Sequence, residues 1–210
     1  MNISHLLEPE LEFCAGRHGD VRFGITNYGP FDRNKASPAQ TIRVGIVGSA
    51  AGVEGAVNWL ERCTAGIAAK RSRQPNLFPR FPGYGPESPF RSQLVTDSRT
   101  QRTIKNADIA DLARITDGDR LVEESVGLVL SEVRYIARET PADVIICAVP
   151  REFLDLLAGP ELPPDSDPED EGAPISKLDF RCLLKARAME FGKPIQLVLP
   201  ATYGAGGGTS

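Results

Sequence analysis

The chain has 210 residues, 41% of them hydrophobic, 25% charged and 7% aromatic, with a formal net charge of −4. That length and balance suit one α/β domain with an extension, or two small domains. They exclude collagen, a long coiled coil and a mostly disordered chain. The acidic balance argues against a globally basic nucleic-acid binder and leaves room for a local cationic pocket.

In chain order, short Gly-punctuated runs at 10–14 and 21–26 predict a small β extension over residues 1–40. The run 42–47 (IRVGIV) is short, apolar and β-branched, and reads as a buried strand. Residues 53–69 carry Val53, Ala56, Val57, Leu60 and Ile67 at helical spacing. A Pro- and Gly-rich loop follows at 74–89, then a short strand at 94–96. Residues 121–138 predict a strong amphipathic helix, with Val122, Val126, Val129, Leu130, Val133 and Ile136 on one face. A second buried strand is expected at 143–149 (DVIICAV) and a short helix at 152–157.

The stretch 159–174 holds six acids among its prolines and is expected to be a mobile, solvated loop. A helix over 176–191 follows, with Ser176 and Asp179 at capping-box spacing and Gly192 as its stop. Residues 195–199 (IQLVL) read as the last buried strand, and 204–210 as a flexible Gly-rich tail. Strands apolar throughout and separated by helices imply a Rossmann-like parallel sheet over 41–203, with helices on both faces. No apolar run reaches bilayer length, and the N-terminus lacks a basic start before a long apolar core. The four cysteines form no CxxC pair and the only histidines are His5 and His18, so no metal site is expected. Buried, reduced thiols and a cytoplasmic location are the corresponding expectations.

Four motifs bear on function. The turn GIVGSAAGVEG places Gly45, Gly48, Gly52 and Gly55 between a strand and a helix. It matches neither G-x-G-x-x-G nor the P-loop, and reads as a tight, closely packed turn. A nucleotide-cofactor enzyme built on it is the alternative. With two histidines near the N-terminus and carboxylates densest in the acidic loop, no catalytic residue is assigned and no enzyme is expected. The third motif interleaves Lys70, Arg71, Arg73, Arg80 and Arg91 with Phe78, Phe81, Tyr84 and Phe90. This pattern suits either a nucleic-acid backbone with stacked bases or a Pro-rich loop pinned by aromatic anchors. The fourth is the unit DFRCLLKARAMEFGKPIQLVLP. Arg181 and Lys185 stand at i, i+4 near a helix N-terminus, where like charges repel unless an anion sits between them. Gln196, on the next strand, is expected to fold back beside them.

Arg181, Lys185 and Gln196 at these intervals resemble the guide-binding motif of Argonaute MID domains. The segments LEPELEFC (7–14), DVRFGITNYGPFD (20–32), RVGIVG (43–48), LFPRFPG (77–83) and ADVIICAVP (142–150) resemble short prokaryotic Argonautes, in order, to about Pro200. The resemblance implies a MID-like domain that grips the 5′-phosphate and first nucleotide of a small guide RNA or DNA in a prokaryotic defence system. Lys185 and Gln196 would hold the phosphate, Arg181 would contact it or stack on the first base, and Ile175, Ser176, Lys177 and Leu178 would touch that base. It further implies a PIWI half that this chain lacks, an effector partner with an APAZ region, and no membrane partner. The only cofactor it suggests is a magnesium ion bridging the 5′-phosphate in the complete protein. A pure protein-interaction module is the remaining alternative.

Overall fold

The structure is a computed structural model that describes residues 9–34, 41–73, 78–158 and 179–204. The expected acidic loop at 159–174 and the tail from 205 onward lie outside the described residues, as do Ile175, Ser176, Lys177 and Leu178. The chain divides into two compact units, Met1–Ile42 with Leu60–Val95, and Arg43–Trp59 with Thr96–Ser210. The grouping of Leu60–Val95 with the N-terminal segment is not apparent from the linear sequence.

In the first unit, β1 (Leu11–Phe13) and β2 (Gly16–His18) pair antiparallel, with Phe13 opposite Gly16. The expected strand at 21–26 is instead the helix α1 (Val21–Tyr28). Asp20 is the reason: its carboxylate accepts from the backbone N–H groups of Arg22 and Phe23, both at 2.8 Å, and starts a helix there.

The second unit holds β3 (Thr41–Gly48) from Arg43, α2 (Ala50–Ala65) as far as Trp59, β4 (Gln93–Thr103) from Thr96, then α3 (Asn106–Leu112), α4 (Gly118–Glu139), β5 (Val144–Ala148) and α5 (Arg151–Ala158). It continues with α6 (Phe180–Ala188), a 3-10 turn (Met189–Phe191), β6 (Ile195–Val198) and α7 (Pro200–Tyr203). Strands β3 to β6 form one sheet in the order β4-β3-β5-β6. β3 pairs parallel with β5, Val44 opposite Val144, and β5 pairs parallel with β6, Ile145 opposite Ile195. The fold is therefore a Rossmann-like α/β fold with a four-stranded parallel sheet, as the three apolar runs predict.

The pleat decides which residue meets which helix. Ile145, Cys147 and Val149 face one side, where Val122, Val126, Val129, Val133 and Ile136 of α4 and Leu184 and Ala188 of α6 complete the core. Residues of opposite parity, among them Val44, Ile46, Ile146 and Val198, are buried toward the other side. α4 is the longest described helix at 22 residues, N-capped by Asp117.

β4 has 11 residues rather than the three expected. It lies at the sheet edge and carries Asp97, Ser98 and Arg99, so its sequence lacks the apolar run of its neighbours. Its Thr100 hydroxyl donates to the Val44 carbonyl oxygen at 2.9 Å. The helix expected from Ser176 begins at Phe180, because Asp179 is extended and caps it. Gly192, at φ 62, ends the following 3-10 turn in the left-handed conformation that glycine tolerates.

Candidate functional site

α6 carries two different sets of cations. On its inner side Leu184 and Ala188 are buried, and Phe180 and Leu183 pack against the same core. Arg187, beside them, is paired with Glu123 of α4 at 3.2 Å. Arg181 and Lys185 lie on the outer side, exposed, and among the described residues neither has a carboxylate within ion-pair distance. Helical spacing puts these two on one face, as expected.

The helix N-terminus lies beside Arg181 and is already served, whereas Lys185 falls in the last turn of this short helix and not near its start as expected. Asp179 Oδ1 accepts from the Cys182 backbone N–H at 2.6 Å. That N–H, with the Cys182 thiol and Arg181 also contributing, holds the Asp179 carboxyl below its usual value. An anion approaching Arg181 and Lys185 therefore meets a capping carboxylate on one flank, so its attraction comes from the two side-chain cations rather than from free helix amides.

Gln196 is not on that face of the sheet. Ile195 and Leu197 pack toward the core that includes α6, and Gln196 stands between them at opposite parity, paired in register with Ile146. The expected fold-back beside the two cations is thus not what the pleat produces. The Gln196 side chain instead turns to the open edge of β6. The carbonyls of Pro194 and Val198 accept from β5, which leaves that of Leu197 pointing outward, and Gln196 Nε2 donates to it at 3.0 Å. The structure brings Arg181 and Lys185 together and places Gln196 at the neighbouring sheet edge, exposed.

The glycine-rich turn is closed. Open α/β sheets bind ligands where the chain leaves neighbouring strands in opposite directions, here at the carboxyl ends of β3 and β5. A Cβ on Gly48 would stand 2.6 Å from the Ala148 carbonyl oxygen, and one on Gly55 would stand 2.7 Å from the Tyr203 ring. The Gly52 N–H donates to Ser49 Oγ at 3.2 Å, and Tyr203 donates to the Val149 carbonyl oxygen. The cofactor reading requires open amides beside a cleft; these glycines instead allow close packing.

The basic-aromatic segment of the first unit separates into two parts. Phe81, Tyr84 and Phe90 form a mutual cluster with ring centroids 5.0 to 5.9 Å apart, and burial raises the Tyr84 phenol above its usual value. These three are structural anchors. Phe78 stays outside the cluster, 44% exposed, with Lys70 Nζ 5.8 Å from its ring centroid.

The thiols also differ from expectation. Cys63 and Cys147 are buried, Cys14 is partly exposed, and Cys182 is exposed between Arg181 and Lys185 in chain order. All four are free. A groove of about 450 Å³ between α3 and α5, lined by Asn106, Ile109, Ala113, Glu152, Asp155 and Leu156, was not foreseen. The short helix α3 that forms one wall carries too few apolar positions to stand out as a pattern. Its two carboxylates disfavour an anionic ligand.

Among the described residues no group of three His, Cys, Asp or Glu is placed to hold a metal ion, and no helix is long and apolar enough to cross a membrane. No protein-family model and no curated protein matches the chain.

Proposed function

We propose that this chain is a nucleic-acid guide-binding module without chemistry of its own, which holds the 5′-phosphate and first nucleotide of a small RNA or DNA at α6. The observation that carries the reading is the contrast along α6: Arg187 is paired with Glu123, whereas Arg181 and Lys185, one turn apart, have no carboxylate within ion-pair distance among the described residues. Like charges at that spacing repel, and an anion bound between them relieves the repulsion. A terminal phosphate, with two charges and several acceptor oxygens, suits the pair better than a single carboxylate does. Gln196, on the other face of the sheet with its Nε2 donating to the Leu197 carbonyl oxygen, stands apart from this pair, so the anchor rests on Arg181 and Lys185. The order and spacing of the short-Argonaute-like segments support the same reading, as does the Rossmann-like sheet. In that reading the module works beside a PIWI region and an APAZ-bearing effector in a prokaryotic defence system.

Substitution at α6 tests the assignment. Lys185→Ala and Arg181→Ala are each expected to weaken a 5′-phosphorylated oligonucleotide by roughly ten- to a hundredfold, the loss of one or two charge-assisted hydrogen bonds. Arg187→Ala, at the paired cation, is expected to leave that affinity unchanged. Equal effects at all three positions would point to diffuse attraction and defeat the proposal.

A further inference from the structure

We infer that the first unit carries a second nucleic-acid surface, which binds single-stranded RNA or DNA with little sequence preference. Its basis is a local reversal of charge. Leu60–Val95 holds six cations, Arg62, Lys70, Arg71, Arg73, Arg80 and Arg91, against the two acids Glu61 and Glu87, within a chain of net charge −4. Elsewhere many arginines are paired: Arg43 with Asp143, Arg99 with Asp97, Arg102 with Glu132, Arg134 with Glu190. Among the described residues Lys70, Arg71, Arg73 and Arg80 have no carboxylate within ion-pair distance, and all four are exposed.

The backbone organises them. Ile67 and Phe81 exchange two hydrogen bonds, Ile67 N–H to the Phe81 carbonyl oxygen at 3.0 Å and Phe81 N–H to the Ile67 carbonyl oxygen at 2.8 Å. Beyond that single bridge, the Lys70 ammonium stands over the Phe78 ring, 5.8 Å from its centroid. Phe81, itself in the bridge, packs in one ring cluster with Tyr84 and Phe90. The result is an exposed aromatic ring, Phe78, close in sequence to cations not consumed by internal ion pairs.

That combination fits a single strand. Guanidinium groups pair bidentately with phosphodiester oxygens, and an exposed ring stacks on any base. An acyl tail or an acidic protein surface would use the charge but gain little from a lone ring capped by an ammonium. The surface needs no 5′-phosphate, so it stands or falls separately from the site on α6.

The test is fluorescence anisotropy of the full chain with a 5′-hydroxyl, 20-nucleotide oligo(U) or oligo(dT) probe at several salt concentrations. Phe78→Ala is expected to weaken binding about five- to a hundredfold, and Phe78→Trp to retain it. Arg71→Ala, Arg73→Ala and Arg80→Ala combined are expected to lower the slope of log affinity against log salt by about 2. Phe78→Ala should weaken a 5′-phosphorylated probe by the same factor, leaving the ratio between the two probes unchanged. Arg187→Ala should alter neither, and melting curves show that the variants fold. Absence of binding by the parent chain, or binding indifferent to Phe78 and the three arginines, overturns the inference. Loss of binding to phosphatidylserine vesicles with oligonucleotide binding intact overturns it in favour of a membrane surface.

Discussion

The Tyr203 hydroxyl donates a 2.6 Å hydrogen bond to the carbonyl oxygen of Val149, fastening α7 to the end of β5. The ring, only 8% exposed, fills the space above Gly55 at the position where a Rossmann-like sheet would otherwise open a crevice. Tyr203→Phe keeps the ring and leaves the carbonyl unpaired, for an expected loss of about 1–2 kcal/mol. Tyr203→Ala also leaves a cavity and is expected to cost about 3–5 kcal/mol. Denaturant unfolding of the two variants gives both numbers.

Two glycines in helices respond oppositely to alanine. In α4, a Cβ on Gly127 would meet nothing within 4 Å, so Gly127→Ala is expected to stabilise the protein by about 0.5–1 kcal/mol through helix propensity alone. In α2 the same change at Gly55 drives a methyl group into the Tyr203 ring and is expected to destabilise by about 1–3 kcal/mol. Thermal melts of the two variants should move in opposite directions.

Much of this arrangement is legible in the sequence. The runs of β3, β5 and β6 are apolar because both faces of the sheet are covered, and α4 announces itself through one apolar stripe. β4 does not, because an edge strand needs no such run. α1 is hidden by its own residues: Val21, Phe23, Ile25 and Thr26 favour strands, and only the Asp20 cap reveals the helix. The alternation in Ile195-Gln196-Leu197 already held the clue that Gln196 faces away from its neighbours. What no linear pattern carries is the ion pair that occupies Arg187 but not Arg181 or Lys185, because it depends on α4 lying beside α6.

Acid should weaken the fold over a defined window. Asp97 is held down to about 2, chiefly by the Arg99 side chain, and Asp179 and Asp20 are lowered chiefly by backbone N–H groups. A carboxyl with a lower pKa folded than unfolded adds stability above about pH 4, which is lost as pH falls toward the folded value. The unfolding midpoint is therefore expected to fall between about pH 4 and pH 2. Asp97→Asn combined with Asp179→Asn should make that fall shallower, and an unchanged acid limb would exclude these groups as its source.

Thiol labelling should follow burial. Desolvation pushes Cys147 up to about 12 and also raises Cys63, so neither presents a thiolate to a reagent at neutral pH. Cys182 is raised by the Asp179 carboxylate beside it, yet it is the exposed thiol. An alkylating reagent on the native protein is expected to modify Cys182 first, and Cys63 and Cys147 only after denaturation. Mass spectrometry of the digested protein reads the order, and early modification of Cys147 would contradict the packing of β5.

The most direct test of the guide-binding reading is the ratio of affinities for one oligonucleotide with a 5′-phosphate and the same oligonucleotide with a 5′-hydroxyl, measured side by side at fixed salt. A shared sequence cancels every contact except those at the terminal phosphate. The expected result is a preference of at least about tenfold for the phosphorylated end, which collapses toward one in Lys185→Ala. Equal affinity for the two ends, unchanged by that substitution, would contradict the assignment of α6 as the anchor.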